Sequence, residues 1–148
     1  MIQTARLPDP LDDPDFYSDL LPKRFLAWVI DLALTLVIFA LVIVLSGFLA
    51  LFIFPLVWMA IAIAYRTVML TRYGATAGMW IAALQWRRLD GRRPNQELAF
   101  WHSVIYAVSM TFVLGQIASV ALMLVTPYRQ GLNDWILGTT IVNRYLVS

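Results

Sequence analysis

Arg24, Asp31 and Asp134 are the residues in this chain whose types and spacing could do chemistry. Asp31 is the only charged side chain in the 21-residue run Phe25–Leu45. An apolar run of that length is read as a membrane-spanning helix. A carboxylate at that depth costs about 2.5–3.5 kcal/mol on insertion scales, so it is expected to have a partner, line a wet cavity or handle ions or protons. Arg24 lies seven residues earlier, on the same helix face. Seven steps of helical rise separate the two by about 10.5 Å, a gap that an arginine side chain is not expected to bridge alone. Asp134 lies in Gly131-Leu132-Asn133-Asp134-Trp135. It can cap the helix that follows, as Asn and Asp favour, or pair with Arg24 or Arg129.

The elements that must hold these residues are largely apolar. The chain has 148 residues, 61% of them hydrophobic, against about 45–50% in a soluble domain. One small membrane domain is expected, an all-α bundle, with no room for a second folded domain. There is no Cys and one His. A disulfide framework, a Cys-based zinc site and a multi-histidine metal site are therefore excluded. No nucleophile elbow, phosphate loop or metal-ligand spacing is present, so no enzyme activity and no cofactor are expected.

Residues 1–21 form an acidic leader containing Pro8, Pro10 and Pro14. It has neither the basic start nor the apolar segment of a signal peptide. Its composition predicts an extended, solvated and flexible segment. Docking to a basic partner surface is the alternative, with Phe16, Tyr17, Leu20 and Leu21 anchoring it near the bilayer.

The membrane domain is expected over residues 22–148, with apolar stretches at 25–45, 48–65 and 103–126. Ser46-Gly47 is the best breaker between the first two. Pro55 is expected to kink the second, and Arg66 to close it. The connection to His102 carries six arginines, which by the positive-inside tendency places it in the cytoplasm. Two spans precede it, so the N-terminus is also expected there. Within the connection, Ala77–Trp86 is apolar enough to lie along the interface, and Asp90-Gly91 is a strong turn signal. Arg87, Arg88, Arg92 and Arg93 are expected to set topology and meet anionic lipid head groups. Nucleic acid is not an expected partner of so short a cluster beside a membrane.

The third apolar stretch is either a third full span or a re-entrant hairpin. Its 24 residues suffice to cross once, yet Leu114-Gly115-Gln116 is weak for a bilayer centre. Leu84–Leu89 and Thr139–Arg144 both read as short extended pieces. If they pair, or if Asp134 reaches Arg24, the stretch must return to the side it left, and the hairpin is favoured on that ground. His102, Tyr106, Ser109 and Gln116 fall on one polar stripe of this stretch. They are expected to join helices by hydrogen bonds, or to line an ion path. His102 is expected at the membrane edge, solvated.

The ordered set Arg24 … Asp31, Thr76-Ala77-Gly78-Met79, Arg129-Gln130-Gly131-Leu132-Asn133-Asp134 and Gly138-Thr139-Thr140 resembles the RDD family of small bacterial membrane proteins. That family is named for one arginine and two aspartates. The resemblance covers about residues 20–143. It implies a small helical bundle in the bacterial cytoplasmic (inner) membrane and an Arg24–Asp31–Asp134 constellation. For some members it implies monovalent cation/proton exchange, with Asp31 binding proton and cation in turn. The sequence departs from the family at Met79, where a Lys is common, and at Asn133, where a His is common. Those departures and the acidic leader also fit an accessory or assembly subunit of a larger membrane complex. A carrier of this size is expected to form homo-oligomers.

Overall fold

The computed structural model describes residues 6–147. The path begins with a 3-10 turn at Pro14–Tyr17 and enters α1, Leu20–Leu45. Ser46 and Gly47 do break the chain, with Gly47 and Phe48 both in the left-handed region (φ 63° and 69°). A 3-10 turn, Leu49–Ile53, then leads into α2, Phe54–Tyr73. Pro55 starts this helix instead of kinking it. At a helix start its missing N–H is a group that would have no partner in any case. α2 also runs past Arg66 to Gly74, whose φ of 64° closes it. Arg66 therefore projects from a continuous helix and does not end one.

A short helix α3, Ala77–Ile81, follows, then strand β1, Leu84–Arg88. The Asp90-Gly91 turn is formed, with Gly91 at φ 82° and the Arg92 N–H donating to Asp90 Oδ1 at 3.0 Å. Asn95 caps α4, Gln96–Thr111, by accepting the Leu98 N–H at 2.9 Å. Next come α5, Val113–Val125, α6, Leu132–Leu137, and β2, Thr139–Asn143. Strands β1 and β2 pair antiparallel, with Trp86 opposite Ile141 and Leu84 opposite Asn143.

α1 and α2, with the turns that lead into them, are long and apolar enough to cross a membrane. α4 and α5 break at Phe112 and bend by 119°. Gly115 makes the tight return possible, since a Cβ there would stand 2.8 Å from the Ser109 carbonyl oxygen. The chain then comes back to the end of the bundle where α4 begins, and β2 closes on β1. The architecture is an all-α membrane bundle of two full-length helices and a bent apolar pair, capped by a small two-stranded ribbon.

Part of the leader behaves differently from the extended, solvated segment expected. Leu7, Tyr17 and Leu20 are buried in the core beneath the ribbon. The Asn143 amide donates to the Asp15 and Ser18 carbonyls at 2.8 and 3.1 Å, and Tyr17 Oη donates to the Pro8 carbonyl at 2.9 Å. Backbone carbonyls and an aromatic ring, which charge counting ignores, supply the packing. Residues 1–5 of the leader lie outside the described residues. Ala77–Trp86 also departs from an interfacial element. Trp80 is exposed, but Trp86 is fully buried and Met79 nearly so.

Candidate functional site

Two polar clusters sit inside the bundle, where the sequence suggested one. The first is built on Asp134. Its position at the start of α6 puts the carboxylate back toward its own backbone, where it accepts the Gly131 N–H at 3.4 Å. Arg24, in the first turns of α1, places Nη2 2.7 Å from Asp134 Oδ2 and donates from Nη1 to the Arg129 carbonyl at 3.4 Å. Thr139 Oγ1 donates to Asp134 Oδ1 at 3.0 Å. His102 Nε2 reaches the same oxygen at 3.0 Å, and the Asn133 side-chain amide lies 2.9 Å from that ring nitrogen. A carboxylate is the stronger acceptor, so the ring proton belongs on Nε2 facing Asp134. The Asn133 amide is then read with its oxygen toward the ring.

Asp134 is completely buried. Burial alone would push its carboxyl up, but the Arg24 charge and then the His102 hydrogen bond hold it well below the usual carboxylate range. His102 is not at a solvated edge. It is 1% exposed, and its ring packs 4.6 Å from that of Trp86. The return of the α4–α5 hairpin brings α6 and the ribbon over it.

The second cluster is built on Asp31, one to two turns deeper along α1. Asp31 Oδ1 accepts the Tyr65 hydroxyl at 2.7 Å and the Gly78 N–H at 2.9 Å. Oδ2 accepts the Thr76 hydroxyl at 2.5 Å. Arg66 Nη1 is 3.9 Å from Oδ2, an ion pair too long to be a hydrogen bond. The Arg66 guanidinium instead lies over the Tyr106 ring, 3.7 Å from its centroid. α2 places Tyr65 and Arg66, α3 offers the N–H of Gly78, and Thr76 caps α3 by accepting the Met79 N–H. Gly78 is required here, because a Cβ would collide with the Ala27 backbone of α1.

The expected single constellation is thus corrected. Arg24 pairs with Asp134, and Asp31 pairs with Arg66. Asp134 does not relay Arg24 to Asp31, because its oxygens are spent on Arg24, His102 and Thr139. The polar stripe is divided as well. His102 joins the Asp134 cluster and Tyr106 the Asp31 cluster. Ser109 donates to the Tyr106 carbonyl at 2.9 Å, and Gln116 reaches Ser109 Oγ at 3.5 Å across the α4–α5 break. These two hydrogen bonds brace the hinge. In the basic cluster, Arg88 pairs with Asp90 at 3.2 Å and Arg87 donates to the Val147 carbonyl at 3.5 Å, while Arg92 and Arg93 are exposed. Among the described residues no group of three or more His, Cys, Asp or Glu could hold a metal ion.

A cavity of about 320 Å³ opens between α1, α2 and α4 with Asp31, Arg66 and Tyr106 in its wall. Sequence reading missed Arg66 and Tyr65 because both looked like the polar end of a span. Thr76 and Gly78 stood in view as a motif, without any sign that they face Asp31.

Membrane-length apolar helices, a bent apolar pair and two buried arginine–aspartate pairs define a small helical membrane protein. The chain belongs to the RDD family, whose model matches residues 20–138. Arg24, Asp31 and Asp134 all stand in the two clusters. No curated protein and no solved structure matches it. Met79 is 3% exposed and packs in the core. Asn133 touches His102.

Proposed function

We propose that the protein is a carrier of a small solute in the bacterial inner membrane, with the cavity at Asp31 and Arg66 as its loading site. The observation that carries this reading is the cavity itself, about 320 Å³ of space ending on a buried ion pair. Intramembrane ionisable groups facing a cavity mark solute and ion pathways. In this reading the ribbon end, with both described chain ends and the arginine cluster, faces the cytoplasm, and Arg92 and Arg93 meet lipid head groups. A chain this small assembles as a homo-oligomer to enclose a full path. No covalent step is involved.

Monovalent cation/proton exchange is the narrower form of this activity. It requires the Tyr65 and Thr76 hydroxyls to turn from donors to Asp31 into ligands of the ion, and Arg66 to move away. The test is electrogenic or proton-coupled flux into vesicles holding purified protein, with monovalent cations and small organic acids offered in turn. Flux that disappears in Ala62→Phe, which fills the cavity, is the expected result. Silence of the intact protein toward the whole panel would overturn the carrier reading.

A second reading, an accessory subunit of a larger membrane complex, is favoured by one specific observation. Asp31 already takes three hydrogen bonds, as a group that fixes helix packing would. Stoichiometric recovery with another membrane complex from native membranes, together with silent vesicles, would establish it.

A further inference from the structure

Among the described residues, Arg66 is the one buried charged side chain that makes no hydrogen bond. The side chain is 11% exposed. Its guanidinium carries five N–H donors. Among the described residues it has the 3.9 Å ion pair and the Tyr106 ring, but no hydrogen bond, and its buried Nε has no partner at all. A buried donor left without an acceptor is costly, and more so on a charged group. Asp31 accepts three donors, and Tyr65 Oη both donates to Asp31 and accepts the Ala77 N–H at 3.0 Å.

Arg66 lines the cavity between α1, α2 and α4. The rest of its wall is mainly apolar and includes Leu32, Phe54, Trp58, Met59 and Met110. Apolar walls with a few convergent polar groups make a ligand site. Two features narrow the ligand. At the polar end the Asp31 carboxylate already takes three donors and stands 3.9 Å from Arg66, so the guanidinium is the group still asking for an acceptor, and its planar fork is matched by the two oxygens of a carboxylate. The space of about 320 Å³ holds about ten water-sized groups at ~30 Å³ each. That is one acyl chain of medium length and not two.

We propose that this cavity binds a single-chain carboxylate amphiphile of the fatty-acid class, its carboxylate on Arg66 and its chain along Trp58 and Met59. The ligand enters from the bilayer, where such molecules partition. The inference rests on the carrier reading for its meaning as a substrate, but binding can be read without any flux.

The experiment measures equilibrium binding of radiolabelled decanoate to the full chain in phosphatidylcholine nanodiscs, with empty discs as blank. Saturable uptake of about one decanoate per chain is expected from a cavity of this size. Arg66→Gln should weaken it at least about tenfold, by loss of charge-assisted hydrogen bonds. Ala62→Phe leaves Arg66 in place and should abolish it by occupying the chain's space. Because the two variants act on different parts of the site, misfolding of one leaves the other as the test. Methyl decanoate and decylamine should compete poorly. Competition by either as strong as by decanoate, or uptake that survives both variants, would overturn the proposal. So would an absence of saturable uptake by the intact protein. Decanoate binding without flux in vesicles removes the carrier reading alone. Flux of a different solute without decanoate binding removes this inference alone.

Discussion

Asp134 is the residue on which most of the closed end depends. Its carboxylate is fully buried and takes Arg24, His102, Thr139 and the Gly131 N–H. Its carboxyl is held well below the usual carboxylate range despite burial, which acts the other way. A folded-state pKa depressed in this manner adds stability that is present above the unfolded value of about 3.9 and lost as pH falls toward the folded one. Thermal unfolding in detergent should therefore show the wild type losing stability steadily below about pH 4. Asp134→Asn should start lower at pH 7, by about 3–5 kcal/mol for leaving Arg24 unpaired, and change less with acid. A variant whose melting temperature falls with pH as steeply as the wild type would mean that Asp134 is not the group responsible. The pairing of Arg24 with Asp134 was one of the alternatives the sequence left open, beside helix capping and pairing with Arg129. The burial of His102 was not. It depends on which way the chain travels 30 residues later, and spacing along one helix carries no information about that.

Gly78 does at the level of elements what Asp134 does at the level of residues. It lets α3 press against the backbone of α1 at Ala27, one turn before Asp31, and its N–H completes the Asp31 cluster. Ala in its place should push α3 away and lengthen that hydrogen bond. The expected loss is about 1–3 kcal/mol, the usual result of inserting a group into a packed contact. Thermal unfolding of Gly78→Ala against wild type checks this, with Gly47→Ala beside it. Gly47 has nothing within 4 Å of a Cβ, so that variant registers only the strain of its positive φ. Equal losses at the two positions would show that close packing at Gly78 is not what matters. The elements themselves were partly readable. The Ser46-Gly47 break and the Asp90-Gly91 turn follow from turn chemistry, and Leu84–Leu89 and Thr139–Arg144 read as extended pieces whose pairing the sequence left as a condition. Pro55 was misjudged because the same residue ends one helix and starts another. Only the position of the preceding turn decides between them. Arg66 was misjudged for a related reason. A charge after an apolar run looks like the end of a span, yet α2 continues for seven more residues with Arg66 turned inward to Asp31 and Tyr106.

The whole molecule is organised by the return of the α4–α5 hairpin. Three independent ties hold the start of α1, strand β1 and the segment from Asp134 to β2 at one end of the bundle: Lys23 Nζ to Asn143 Oδ1 at 2.6 Å, Arg24 to Asp134 at 2.7 Å, and the β1–β2 ladder. If α4 and α5 together crossed the bilayer once, each of these ties would have to pass through it. Backbone at membrane depth that is not helical is tolerated only where protein buries it, and the Phe112 break is buttressed by Gly115 beneath Ser109. The absence of any Cys makes this directly measurable with single cysteines placed at Leu11, Leu49 and Tyr145, all exposed positions. In intact bacterial cells a membrane-impermeant thiol reagent should label the Leu49→Cys protein alone, because Leu49 follows the α1–α2 turn at the far end of the bundle. The Leu11→Cys and Tyr145→Cys proteins should be labelled only after the membrane is opened, and both together. Labelling of Leu11 and Tyr145 from opposite sides would make the bent pair a crossing. The salt bridge from Arg24 to Asp134 could then not form in the membrane, and Asp134→Asn would lose its effect on stability.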